Sequence, residues 1–163
     1  MSFQIRSLPA SEFAHLFALS DAELAERNAC RQIVTQNPGT PCRVSLQDAE
    51  IGETVVLLNY MHQPCGGPYQ ASHAIFVREN AEDTEVAPDR VPDVIRTRLI
   101  SLRFFDEGHQ MVHAEVASGD HVAEAISAAF EREDIAYGHL HNAKPGCFAA
   151  SVHRVASDAS ARQ

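Results

Sequence analysis

Two hairpin patterns on either side of one helical pattern constrain this chain more than any other feature. Leu99–Phe105 and Gln110–Ala117 are β-prone runs flanking Asp106-Glu107-Gly108-His109, the composition of a chain reversal. Ile135–Asn142 and Phe148–Val155 flank Ala143-Lys144-Pro145-Gly146 in the same way. Between the hairpins, Val122, Ala125, Ile126, Ala129 and Phe130 recur at three- and four-residue spacing. That spacing predicts an amphipathic helix from about Gly119 to Glu133, with Ser118 as its cap. A β-β-α-β-β order pairs strands as hairpins rather than through helical crossovers. It predicts an α+β domain: a mainly antiparallel sheet of roughly six to eight strands, with two or three helices packed on it.

The first half is less regular. Phe13, Leu16 and Phe17 predict a helix over residues 9–19, and Ser20-Asp21-Ala22-Glu23 is a capping-box signature for a second one to about Arg27. Gln32-Ile33-Val34-Thr35 is a brief strand before the forced turn at Asn37-Pro38-Gly39-Thr40-Pro41. Thr54–Tyr60 is β-rich and nearly all apolar, which predicts a strand buried on both faces. It empties into Met61–Tyr69, a loop dense in Pro and Gly, and another strand follows at His73–Val77. The acidic stretch Glu79–Asp93 reads as a long surface loop. The 163 residues suit one domain, expected over 1–156, with a small polar tail at 157–163.

Charge and cysteine usage narrow the partners. Thirteen basic against twenty-two acidic residues leave a net charge of −9, which argues against nucleic acid or an anionic membrane, since both reward Lys and Arg. No stretch approaches the roughly 18 apolar residues of a membrane helix. The N-terminus lacks the apolar run of a signal peptide, so a cytoplasmic location is expected. Cys30, Cys42, Cys65 and Cys147 are then thiols, and no Cys-x-x-Cys suggests a zinc ribbon or redox pair. The acidic, amphipathic helix packs on a sheet or on a partner subunit, so a homodimer is one reading.

Three groups of residues carry candidate chemistry. His139 and His141 sit two apart on a predicted strand and so point to one face. Two such imidazoles supply two nitrogens to a divalent metal such as zinc. His62 is the favoured third ligand, ahead of His73, His113 and Cys65. The plain alternative is a pair of half-buried, hydrogen-bonded histidines. Cys147 lies near His141 and Asn142, inviting a Cys-His-Asn arrangement with Cys147 as nucleophile and His141 or His62 as base. An even-numbered turn opposes the pairing with His141, because it puts Cys147 on the Asn142 face and both histidines on the other. The alternative is a small buried cysteine at a strand start. Finally, Asn59, Tyr60, His62, Gln63 and Tyr69 gather polar and aromatic groups where a strand becomes a loop. Arg43 adds a clamp for a carboxylate or phosphate, unless it simply pairs with a surface acid.

Three segments also carry a resemblance: Pro41–Leu46, Leu57–Pro64 and His139–Phe148. On these the chain resembles a family of small bacterial proteins known only as a domain of unknown function, over about Phe3 to Val155. The matching positions include Arg43, Asn59, Tyr60, His62, Gln63, Tyr69, His141, Asn142 and Cys147, while Cys65 lies outside the pattern. The resemblance implies a stand-alone bacterial domain and brings no mechanism. Two functional classes follow from the residues. One is an enzyme or metal-dependent protein acting on a small polar molecule through His62, His139 and His141. The other is a non-catalytic module that binds a ligand or a protein through the His62–Tyr69 loop.

Overall fold

The computed structural model describes residues 1–156; the expected tail at 157–163 lies outside the described residues. Eight strands form two antiparallel sheets, so the α+β expectation holds but the single sheet becomes two. The larger contains β1 (Phe3–Arg6), β5 (Leu99–Phe105), β6 (Met111–Ser118), β7 (Tyr137–Asn142) and β8 (Phe148–Arg154), in the order β1-β8-β7-β5-β6. The smaller contains β2 (Ala29–Ile33), β3 (Thr54–Gln63) and β4 (Ala71–Arg78), with β3 in the centre. The helices are α1 (Asp21–Glu26), the single turn α2 (Asp93–Arg96) and α3 (Val122–Ala129). None of them is long and apolar enough to cross a membrane.

Each sheet has its own apolar cluster. Ile100, Leu102 and Phe104 alternate along β5 and meet Ile126 and Phe130 from α3 and its end. Phe13, Leu24, Val44, Val56 and Ile75 form a second cluster on the smaller sheet. The sheets meet along a seam where polar side chains replace this packing. A parallel bridge between Cys42 and Phe76, with the Arg43 N–H donating to the Phe76 carbonyl at 3.1 Å, brings Arg43 into that seam.

Several elements differ from expectation for identifiable reasons. Residues 9–19 form two 3₁₀ turns, Ala10–Glu12 and Ala14–Ala18, because Phe13 (φ −120°) interrupts the helical backbone between them. The capping box at Ser20 and Glu23 is present and starts α1. α3 ends at Ala129 rather than near Glu133. The chain tightens to i→i−3 hydrogen bonds at Glu131 and Arg132, and the Arg154 guanidinium takes the carbonyls of Phe130, Arg132 and Ile135. Ser118 bonds the His121 ring at 2.9 Å instead of capping a helix. β3 is not buried on both faces: Val55 and Val56 are buried, Leu57 and Leu58 only partly, and Asn59 is exposed. An antiparallel sheet tolerates one open face. β3 also runs on to Gln63, so His62 belongs to a strand rather than a loop.

Candidate functional site

The site begins with two irregularities in otherwise regular strands. β3 carries one extra residue between Tyr60 and Gln63 relative to β4. Regular alternation would put Tyr60 and His62 on one face. The bulge separates them, as bulges commonly re-aim side chains. Tyr60 packs on Phe13 in the smaller sheet's core, whereas His62 stacks on Phe148 of β8 at 5.4 Å and 12°. The second irregularity is an extra residue, Ala149, opposite the step from Leu140 to His141. Phe148 thereby sits on the histidine face, within 5.1 Å of the His139 ring and 5.8 Å of the His141 ring.

Strand alternation puts His139 and His141 on one face of β7, and His62 arrives from β3 to meet them. One nitrogen from each of the three rings lies within 4.8 Å of the other two. His139 is 6% exposed and His141 1%. The His141 Nδ1 lies 3.0 Å from the Gly146 carbonyl, which only accepts, so Nδ1 carries the proton and Nε2 keeps its lone pair. Gly146 has φ 82°, a left-handed conformation that side chains resist, and so aims its carbonyl at the ring at no steric cost. Nδ1 of His62 and Nδ1 of His139 are buried without a hydrogen-bond partner among the described residues. Each such atom costs roughly 1–3 kcal/mol if nothing satisfies it.

The three rings are neutral at physiological pH. Burial pushes His62 down to about 4, assisted by the charge of Arg103 and by His73. Burial pushes His139 down to about 3, with the neighbouring rings of His141 and His62 adding to it. His141 falls to about 3 for the same first reason, although its bond to Gly146 works the other way. Neutral, converging imidazoles with free lone pairs are a donor set for a transition-metal cation. The His141–carbonyl bond is the kind of outer contact that orients a metal ligand.

A cleft of about 190 Å³ opens beside the rings. Gln63, Tyr69, Arg103, Phe105 and Met111 contribute to its walls. Gln63 is held by donating to the Tyr137 hydroxyl at 2.7 Å, which is itself 2.7 Å from the His109 Nδ1. Tyr69 packs edge-on against Phe105. Arg103 was not singled out by the sequence reading. It pairs across the sheet with His139, its Nε donates to Ser101 at 3.2 Å, and no carboxylate among the described residues pairs with it. Burial lowers its pKa from the ordinary arginine value. The signal was present: in Leu99–Phe105, Ser101 and Arg103 alternate with the core residues Ile100, Leu102 and Phe104.

The other sequence candidates fall elsewhere. Asn142 and Cys147 face away from the histidines, paired by the Asn142 N–H to the Cys147 carbonyl at 2.9 Å. The Cys147 Sγ accepts from Arg43 at 2.9 Å and from Asn142 at 3.5 Å, and no hydrogen bond joins it to His141. This is the geometry an even, four-residue turn dictates. Arg43 is buried in the seam rather than paired with a surface acid, and it lines a second cavity with Asn142 and Cys147. Asn59 is exposed and outside both cavities. Tyr60 donates to Glu12 at 3.1 Å, and burial followed by that carboxylate raises its pKa to about 12. His73 lines the second cavity, His113 sits against Glu115 on β6 at 3.3 Å, and Cys65 lines neither cavity. None of these three joins the His62, His139 and His141 group.

Comparison with curated proteins and with solved structures returns no match to this chain. A family model does match, over a shorter span than the resemblance from Phe3 to Val155, since it begins within the turn before Arg43. It covers the seam, all three histidines and both cavities: residues 39–154 match DUF1203, described as a protein of unknown function, and the chain belongs to that family.

Proposed function

We propose that His62, His139 and His141 hold a divalent transition-metal cation of the zinc class, and that the adjoining cleft binds a small polar molecule against it. The observation that carries this reading is the convergence of three neutral imidazoles, two of which, His62 and His139, hold a buried Nδ1 with no partner among the described residues. Three protein ligands leave a position open, the pattern of a reactive rather than a purely structural site. The cation supplies a Lewis acid there. The chain supplies the rest. Gly146 fixes the His141 tautomer, and Phe148 packs against all three rings. Arg103 offers an unpaired positive charge to an anionic group of the ligand, and Gln63 and Tyr69 offer hydrogen bonds. No carboxylate among the described residues lines the cleft, so proton transfer by Asp or Glu is not part of the reading. The four free cysteines accord with the expected cytoplasmic location.

Cobalt(II) titrated into metal-free protein tests the site. The reading predicts visible absorption bands of a low-coordinate nitrogen-rich site, saturating at one ion per chain and absent in His139→Ala and His141→Ala. A featureless titration of the folded wild-type protein would overturn it.

A further inference from the structure

The larger cavity lies on the other side of β7 from the histidines and is independent of the metal reading. We propose that it binds a small organic anion: an apolar body ending in a carboxylate- or sulfonate-type group, with an N–H or O–H donor nearby. Its volume is about 610 Å³, in the range of pockets that enclose small ligands, about 300–1,000 Å³. Both sheets contribute apolar wall: Leu57, Ala74 and Phe76 from β3 and β4, and Leu99 from the start of β5. Leu57 and Phe76 are only partly buried and Leu99 is 45% exposed, which leaves apolar surface for the cavity even though Phe76 also packs against Val34, Ala49 and Val55.

The polar end specifies the ligand's chemistry. Arg43 is 2% exposed, yet no carboxylate among the described residues pairs with it. Its guanidinium donates to the carbonyls of Pro41 and Phe148 and to the Cys147 Sγ. Asn142 is 5% exposed and lines the same cavity, and its Oδ1 is buried without a partner among the described residues. An acceptor in that state calls for a donor on the ligand. Lys144, the chain's only lysine, stands exposed at the edge on the β7–β8 turn and has no carboxylate partner among the described residues. Arg98 also lines the wall, but its charge is already matched by a two-bond pair with Asp48, at 2.7 and 3.1 Å. Among the described residues no Asp or Glu lines the cavity, in a chain with twenty-two of them. With Arg43 buried in its wall and Lys144 at its edge, neither matched by a carboxylate among the described residues, the cavity has a field that selects anions.

Anilinonaphthalene sulfonate has this chemistry: an aromatic body, one sulfonate and one N–H. Phenylnaphthylamine is its uncharged counterpart. The proposal predicts that the sulfonate binds the full-length protein at one per chain and more tightly than the uncharged analogue. Lys144→Gln should weaken the sulfonate about fivefold and leave the uncharged probe unchanged. Ala74→Trp, at an exposed position that a larger side chain can occupy without unfolding the sheet, should abolish binding of both. Bound sulfonate should also slow iodoacetamide alkylation of Cys147 while leaving the exposed Cys30 unchanged. The proposal is overturned by no binding, by equal affinity for the two probes, by indifference to Ala74→Trp, or by an unprotected Cys147. None of these outcomes depends on whether His62, His139 and His141 bind a metal.

Discussion

The two faces of β7 make opposite uses of the same six residues. Odd positions send His139 and His141 into a cleft of about 190 Å³ that His62 also lines. The even position Asn142 sends its amide into a cavity of about 610 Å³, next to Arg43 and Cys147. Burial acts on both faces with different results. A buried imidazole gives up its proton and keeps a lone pair free, since burial pushes both β7 histidines down to about 3. A buried guanidinium cannot do so at physiological pH, and it keeps its charge by gathering acceptors. The difference teaches that residue chemistry, not depth, decides what a seam between sheets offers: lone pairs for the proposed cation on the histidine side and a positive charge for the proposed anion on the arginine side.

The largest effect should come from acid. In metal-free protein, His139 and His141 have native pKa values near 3 against 6.5 for an ordinary histidine. The unfolded chain therefore takes up protons that the native state refuses. Stability is undiminished above about pH 6.5 and falls as pH drops toward 3, by about 1.4 kcal/mol per pH unit for each histidine. Urea denaturation at about pH 7 and about pH 5 should show this slope, and His139→Asn with His141→Asn should reduce it to the part that His62, depressed to about 4, contributes. An unchanged slope in the double variant would mean that the histidine face is not what makes the fold acid-sensitive.

Arg43→Met tests the other face. It strands the Phe148 and Pro41 carbonyls and should cost about 3 kcal/mol by denaturant titration. It should leave cobalt binding within about twofold of wild type, because Arg43 touches none of the three histidines. A large loss of metal affinity would dissolve the distinction between the faces. Gly146→Ala acts on the turn that serves both. Its φ of 82° predicts about 1–2 kcal/mol of strain, and displacement of the carbonyl from His141 predicts about tenfold weaker cobalt binding. Arg103→Gln should give the smallest stability change, within about 0.5 kcal/mol. It should still weaken phosphate or oxalate as competitors at the metal-loaded cleft by about fivefold.

Much of the architecture was legible because it rests on local rules. The hairpins around Asp106–His109 and Ala143–Gly146, the capping box at Ser20, and the opposed facing of His141 and Cys147 all follow from turn chemistry and alternation. What escaped depends on contacts distant in sequence. The stop of α3 depends on Arg154, more than twenty residues on. The division into two sheets depends on β3 pairing with β2 and β4 and not with β5. Within the site, His139, His141 and His62 were identifiable, and Gln63 and Tyr69 do line the cleft. Asn59 and Tyr60 were grouped with them because a bulge cannot be read from composition, and that bulge turns Tyr60 away. Arg103 was passed over because its run reads as apolar strand until its partner strand is known.

Metal content tests the central claim most directly. The protein should be purified without a histidine tag and without chelators, dialysed, and analysed for transition metals by mass spectrometry. The account predicts about one equivalent of a zinc-class metal per chain, reduced to background in His139→Ala with His141→Ala while the variant remains folded by circular dichroism. Background metal in the wild-type protein, persisting after incubation with zinc and dialysis, would contradict it.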